Sequence, residues 1–254
     1  MLLVKLFIFC CSVFDVATVS VKPRPADADE LIKLSQDLLY AVKTGADISG
    51  AEARIGSFSA DMLAIGLPED QHRKLFWLNM YNAWYQILAD RDKLERPQIF
   101  HHRGIKFNGF VLSLDDIEHG ILRRYRSKYS FGYLPQLFPD RTIKKLAVKN
   151  PDYRIHFALN CGARSCPPIA FYELEHFDDQ LDLAARVYLQ NESKVDSESG
   201  IVYTTRLMEW FSADFGGKRG CLKILSKYLN RDLKNYTVKF RDYDWSDQLM
   251  NFGD

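Results

Sequence analysis

Apolar and polar positions along the chain change period several times, and each change marks an element. Leu31, Leu34, Leu38, Leu39 and Val42 recur at helical spacing, and Gly45 closes the run. A further helical stretch reaches Ile65 and stops at Gly66-Leu67-Pro68. From about Glu69 to Ala89 the chain is apolar on most sides, with Leu75, Phe76, Trp77, Leu78, Met80, Trp84, Ile87 and Leu88, which is the pattern of a buried helix. On it Asn79, Asn82 and Gln86 form a stripe at i, i+3 and i+7. Buried amides must find partners or cost on the order of 1–3 kcal/mol each, so the stripe is expected to line a polar cavity. Asn108-Gly109 between two short apolar runs is a hairpin signal. Ser113 and Asp116 take the places of a helix N-cap and its third-residue acid, opening a predicted helix through about Tyr125.

Farther on, Ile155, Phe157 and Leu159 alternate with His156, Ala158 and Asn160, the period of a strand with one buried face. A helix from Asp178 to Leu189, a strand over 201–204 and a helix over 207–215 closed by Gly216-Gly217 follow. A helix over 222–229 and a last strand over 236–240 complete the pattern. The sum is a single α+β domain, residues 31–254, with a small mixed or antiparallel sheet packed with several helices. A Pro-, Ala- and Asp-rich linker at 21–30 precedes it.

The first 20 residues read as a secretion signal. Lys5 precedes the apolar run Leu6–Phe14, and small residues stand at Thr18 and Ser20. The run is too short to span a bilayer, which needs about 20 residues, and the expected location is secreted or periplasmic. Cleavage after Ser20 removes Cys10 and Cys11 and leaves Cys161, Cys166 and Cys221. Three cysteines are too few for a disulfide-built scaffold, and an odd number leaves at least one thiol free or paired between chains. The fold must rest on its core, which a chain of 254 residues, 47% hydrophobic, can supply. A net charge of +1 gives no large attraction for nucleic acid or an anionic membrane. The expected partner is therefore an unidentified substrate or ligand, with no nucleic acid and no stable membrane span. The basic run Arg123, Arg124, Arg126, Lys128 reads as a solvated helix end.

Candidate chemistry gathers after the alternating run. Asn160, Cys161 and Gly162 open a Gly- and Pro-punctuated loop that also holds Cys166. Cys161 is the candidate nucleophile, with Asn160 and Gly162 letting backbone amides approach an oxyanion. Its alternatives are half of a disulfide with Cys166 or a small buried hydrophobe. On a straight strand His156 and Cys161 would face opposite ways about 16 Å apart, so His119 is the favoured base. Asp115 and Asp116 precede His119 by four and three residues and could orient its ring. Asn79 or Asn82 could orient His119 or donate to an oxyanion, while His156, Asn160, Cys166 and Gln86 are candidate binding residues. Cys-x4-Cys is loose for zinc, so no metal and no cofactor is expected. There is no glycine-rich phosphate loop, Gly-x-Ser-x-Gly or His-Glu-x-x-His.

Three segments carry a resemblance: FWLNMYNA at 76–83, SLDDIEHGIL at 113–122 and HFALNCGARSCPP at 156–168. In this order they resemble the domain-of-unknown-function family numbered 547, with similarity running from about Leu38 to Trp245. The resemblance implies no established activity. From the residues, the expectation is a cysteine-centred cleft for thiol-dependent hydrolysis or transfer of an amide or ester. A core of cysteine-protease or transglutaminase type would accompany it. The alternative is a non-catalytic binding or structural module.

Overall fold

The computed structural model describes residues 26–253. The expected signal segment and residues 21–25 of the expected linker lie outside the described residues. Helix α1 (Ala28–Thr44) begins within the stretch read as linker, because Asp27 caps it by accepting the Glu30 N–H at 2.9 Å. Gly45, at φ 67°, ends it by donating to the Ala41 and Val42 carbonyls. Helices α2 (Ser49–Gly56) and α3 (Ala60–Gly66) lead to α4 (Asp70–Asp90), buried without a break from Leu75 to Leu88. It is the axis of the larger core, and α1 packs against it.

After the short α5 (Gln98–His101), β1 (Ile105–Phe107) and β2 (Phe110–Leu112) form the antiparallel hairpin that Asn-Gly predicts, with Gly109 at φ 85°. The reciprocal cap is also present. Ser113 Oγ accepts the Asp116 N–H at 3.1 Å, and Asp116 Oδ2 accepts the Ser113 N–H at 2.9 Å. It opens the expected helix, which is π-wound over Asp116–Leu122 and ends three residues before Tyr125. Such turns recur at functional sites.

Helix α6 (Arg141–Leu146) packs beside that turn. The expected strand at 155–159 is instead part of a 3-10 turn, Tyr153–Phe157, capped by Asp152 accepting the Arg154 N–H at 3.0 Å. The reason is visible in the burial. Ile155 belongs to the larger core and Phe157 to a second one, so the alternation records two neighbours rather than two faces of a sheet.

The second core lies between α7 (Phe177–Glu192), a small sheet and the helix over Gly217–Leu229. The sheet has the order β3 (Lys194–Asp196), β4 (Ile201–Thr204), β5 (Thr237–Phe240), antiparallel then parallel, so it is mixed. Between β4 and β5 come α8 (Leu207–Trp210), shorter than the helix expected over 207–215, and α9 (Gly217–Leu229). The result is an α+β domain. Its C-terminal strap then runs back over the cysteine loop. Arg164 and Ser165 donate to the Ser246 and Asp244 carbonyls, Gln248 to Gly162 and Ile169 to Asn251. This strap delivers Tyr243 and Trp245 to the site.

Candidate functional site

A cavity of about 430 Å³ opens between the two cores. Cys161, His119, Asp115 and His156 all line it, together with Glu118, Lys128, Tyr243 and a wall of Phe100, Trp210, Phe211 and Trp245. Asn79, Asn82, Gln86 and Asp116 do not. Asn79 Nδ2 donates to Ser35 Oγ at 3.1 Å, Gln86 Oε1 accepts the Met250 N–H at 2.8 Å, and Asp116 serves the cap. The amide stripe ties chain segments together and does not face the cavity.

Asn82 sets the cysteine loop. Its Nδ2 donates to the Ala158 carbonyl at 3.0 Å and its Oδ1 accepts the Asn160 N–H at 2.9 Å. Asn160 in turn accepts the Gly162 N–H at 2.9 Å and donates to the Pro167 carbonyl at 2.7 Å. Gly162 has φ 68°, and a Cβ there would lie 2.3 Å from the Tyr85 ring, so only glycine fits. Cys161 and Cys166 form a disulfide, Cα to Cα 6.1 Å, while Cys221 is a free buried thiol. The Tyr243 hydroxyl lies 3.4 Å from the Cys161 sulfur and 3.1 Å from that of Cys166. The backbone amides expected to approach an oxyanion are both engaged, Asn160 with Asn82 Oδ1 and Gly162 with Asn160 Oδ1, and the Cys161 N–H between them donates to the Cys166 sulfur at 3.1 Å.

The two histidines differ in what each has left to offer. Arg123 Nη1 donates to His119 Nδ1 at 2.7 Å. A guanidinium only donates, so Nδ1 carries the lone pair and Nε2 the proton. Nε2 stands 3.6 Å from Asp115 Oδ1, beyond hydrogen-bond length, and Asp115 Oδ2 is taken by Lys128 at 2.5 Å and His101 at 2.6 Å. Burial, then Arg123 and Lys128, hold the His119 pKa well below its ordinary value, so the ring is neutral. Its lone pair is occupied and its N–H is spare. That arrangement leaves His119 with a free donor and no free acceptor, where a base needs an acceptor.

His156 is the converse. Its Nε2 donates to Asp214 Oδ2 at 2.8 Å, and its ring stacks on Phe211 with centroids 3.9 Å apart. Burial lowers its pKa despite Asp214, so this ring is also neutral, with Nδ1 as its acceptor. The 3-10 turn removes the strand geometry that had set His156 aside.

Asp214 organises the group. It also accepts from Arg123 Nε at 2.6 Å and Arg126 Nη1 at 2.8 Å. Burial alone would raise its pKa, but His156 and Arg123 hold it well below the usual carboxylate range. Arg123, expected on a solvated helix end, is among the most completely buried side chains. Glu118 completes the charged set. Burial pushes its pKa up to about 7, against the opposing charge of Arg123, and Tyr81 donates to it at 3.1 Å. Asp214, Arg123, Glu118 and Tyr243 escaped the sequence reading. His119 and Arg123 at i, i+4 were a usable signal, whereas Asp214 is far along the chain and carries none. Among the described residues no group of three or more His, Cys, Asp or Glu is arranged to hold a metal ion.

Residues 66–189 match the family model described as "Protein of unknown function, DUF547", a shorter span than the resemblance read from the motifs. No curated protein and no solved structure matches the chain.

Proposed function

We propose that the cavity carries out thiol-dependent acyl chemistry on an amide or ester, in a chain whose residues 66–189 match the DUF547 family model, described only as of unknown function. The observation that carries this reading is the hydrogen bond from His156 to Asp214 in the cavity that Cys161 also lines. An imidazole whose N–H is fixed by a carboxylate has its other nitrogen ready to take a proton. Once a dithiol reductant opens the Cys161–Cys166 disulfide, His156 Nδ1 accepts the Cys161 proton. The thiolate attacks the carbonyl carbon, His156 returns the proton to the departing amine or alcohol, and water hydrolyses the thioester. The spare Nε2–H of His119 is the donor suited to the carbonyl oxygen as it gains charge. Asn82 holds the nucleophile's loop, Asp115 fixes Lys128 and His101 beside His119, and Asp116 caps their turn.

A second reading rests on the disulfide. With it closed the nucleophile is masked, and the aromatic wall serves a binding module. Export, which the N-terminal pattern predicts, would favour the closed form.

Mass spectrometry after mild reduction and exposure to p-nitrophenyl acetate separates the readings. The catalytic reading expects an acetyl adduct on Cys161 that Cys161→Ser abolishes. Acetylation confined to surface lysines would leave the binding module as the better account.

A further inference from the structure

Among the described residues, a ten-residue stretch beginning at the cavity mouth, 129–138, exposes six large apolar side chains. Tyr129 (85% exposed), Phe131 (53%), Tyr133 (61%), Leu134 (64%), Leu137 (83%) and Phe138 (93%) all turn outward. Singly exposed apolar side chains are ordinary, but a contiguous set marks an interaction surface. The backbone beneath them is tied down. Ser127 donates to the Leu134 carbonyl at 2.9 Å, Arg126 bridges Pro135, and Ala213 donates to the Phe131 carbonyl at 3.0 Å. Gly132, at φ 81°, sits where a Cβ would lie 2.6 Å from Arg123 Nη2 and 2.9 Å from Asp214 Oδ1. The segment is thus an anchored loop that holds its side chains away from the core.

Charge within the loop is one-sided, with acids only at its margins: Asp140 follows it, and Asp70 accepts the Lys149 N–H at 2.7 Å. Residues 123–139 contain four bases and no acid. Arg126 and Lys128 are neutralised by Asp214 and Asp115. Arg124, Lys144 and Lys149 are exposed and make no ion pair among the described residues. They sit at the foot of the loop, where Arg124 Nη1 donates to the Lys149 carbonyl at 2.6 Å and the adjacent Tyr125 hydroxyl donates to the Lys144 carbonyl at 3.1 Å. On the other side, a Cβ at Gly217 would lie 3.1 Å from the Tyr133 hydroxyl, and the next two residues are the exposed Lys218 and Arg219. The net charge of +1 hides this local imbalance.

We propose that segment 129–138 docks the protein peripherally on an anionic lipid surface, with Tyr129, Phe131, Leu137 and Phe138 entering the interface and Arg124, Lys144 and Lys149 meeting the headgroups. Aromatic and aliphatic side chains projecting from a tied loop suit the boundary between headgroups and acyl chains. A rim of unpaired bases adds attraction that salt screens. No described helix is long and apolar enough to cross a membrane, so the attachment is to one face. Tyr129 and Lys128 belong both to this segment's approach and to the cavity lining, so docking brings the cavity mouth to the lipid surface. The proposal stands on the loop and its charges, independently of the chemistry inside the cavity.

The test is co-sedimentation of the folded protein with large vesicles of phosphatidylcholine alone or mixed with phosphatidylglycerol. Binding is expected to the mixed vesicles and to weaken as salt is raised. Leu137→Ser/Phe138→Ser should lower the partition coefficient on the order of tenfold or more with an unchanged melting temperature. Lys144→Gln/Lys149→Gln should erase most of the preference for the anionic composition, so the proposal is tested even if the first variant is poorly folded. Wild-type protein that stays in the supernatant with both compositions overturns it. So does a wild-type dimer in sedimentation velocity, without vesicles, that Leu137→Ser/Phe138→Ser converts to monomer, because the loop would then cover a second copy.

Discussion

Two polar networks lie inside this molecule, and they are built differently. Along α4, Asn79, Asn82 and Gln86 are neutral amides that bind a side-chain hydroxyl and backbone groups of other segments, and none lines the cavity. Behind the cavity, Arg123, Asp214, His119, His156 and Glu118 are ionisable groups packed against one another, and three of them line it. An amide satisfies a buried backbone whatever the pH. A buried charge costs far more to desolvate and survives only with partners, so a cluster of such groups at a cavity is the better marker of chemistry. Buried polarity alone does not locate the site; its ionisable fraction does.

The sharpest way to break this contrast is Asp214→Ala. It strips His156, Arg126 and the almost wholly buried Arg123 of their carboxylate. Leaving a buried charge unpaired costs about 3–5 kcal/mol, measurable by urea unfolding at pH 7. The Asp214 pKa is lowered in the folded protein, so its contribution is present above the unfolded value of about 3.9 and is lost as pH falls through the folded value. The gap between wild type and variant should therefore narrow in acid. A loss below about 1 kcal/mol at pH 7 would mean the cluster is not coupled as described.

Glu118 should show the opposite slope. Its folded pKa of about 7 lies above the ordinary carboxyl value of 4.5. Between those limits the folded state holds a proton that the unfolded chain has released. Stability from this group therefore falls as pH rises through the window, by up to about 3 kcal/mol. Glu118→Gln should remove that part of the decline between pH 5 and 8, and identical slopes would show that Glu118 is ionised and solvated.

Asn82→Ala gives the smallest of the three effects, about 2 kcal/mol, by leaving the Ala158 carbonyl and the Asn160 N–H without their partner. The loss should be the same at pH 5 and 8, since no proton is involved. A marked pH dependence would move Asn82 into the ionisable network.

The same contrast explains what the chain disclosed beforehand. Local chemistry was readable: Asn108-Gly109 makes its hairpin, Ser113 and Asp116 their reciprocal cap, and the residues from Leu75 to Leu88 a buried helix. Cys161, His119, Asp115 and His156 stand in two motifs of the sequence, and the fold brings all four to one cavity. What failed depended on distant contacts. The alternation at 155–159 arose from two cores on either side of a turn, and periodicity cannot distinguish that from a strand. Arg123 looked solvated because its partner, Asp214, is 91 residues away. That unseen pair also decides which ring atoms of the histidines are engaged, by filling His119 Nδ1 with an arginine donor and giving His156 its carboxylate.

The proposed chemistry makes His156, held by Asp214, the base in the cavity and His119 a donor. Alkylation of Cys161 by iodoacetamide at pH 6–7 after mild reduction tests it most directly, in variants checked for folding, with buried Cys221, whose thiol burial pushes up to about 11, as the slow internal reference. The account expects Cys161 to react faster than Cys221, His156→Ala to slow it by about tenfold or more, and His119→Ala to leave it nearly unchanged. Slowing by His119→Ala with no effect of His156→Ala would contradict the account.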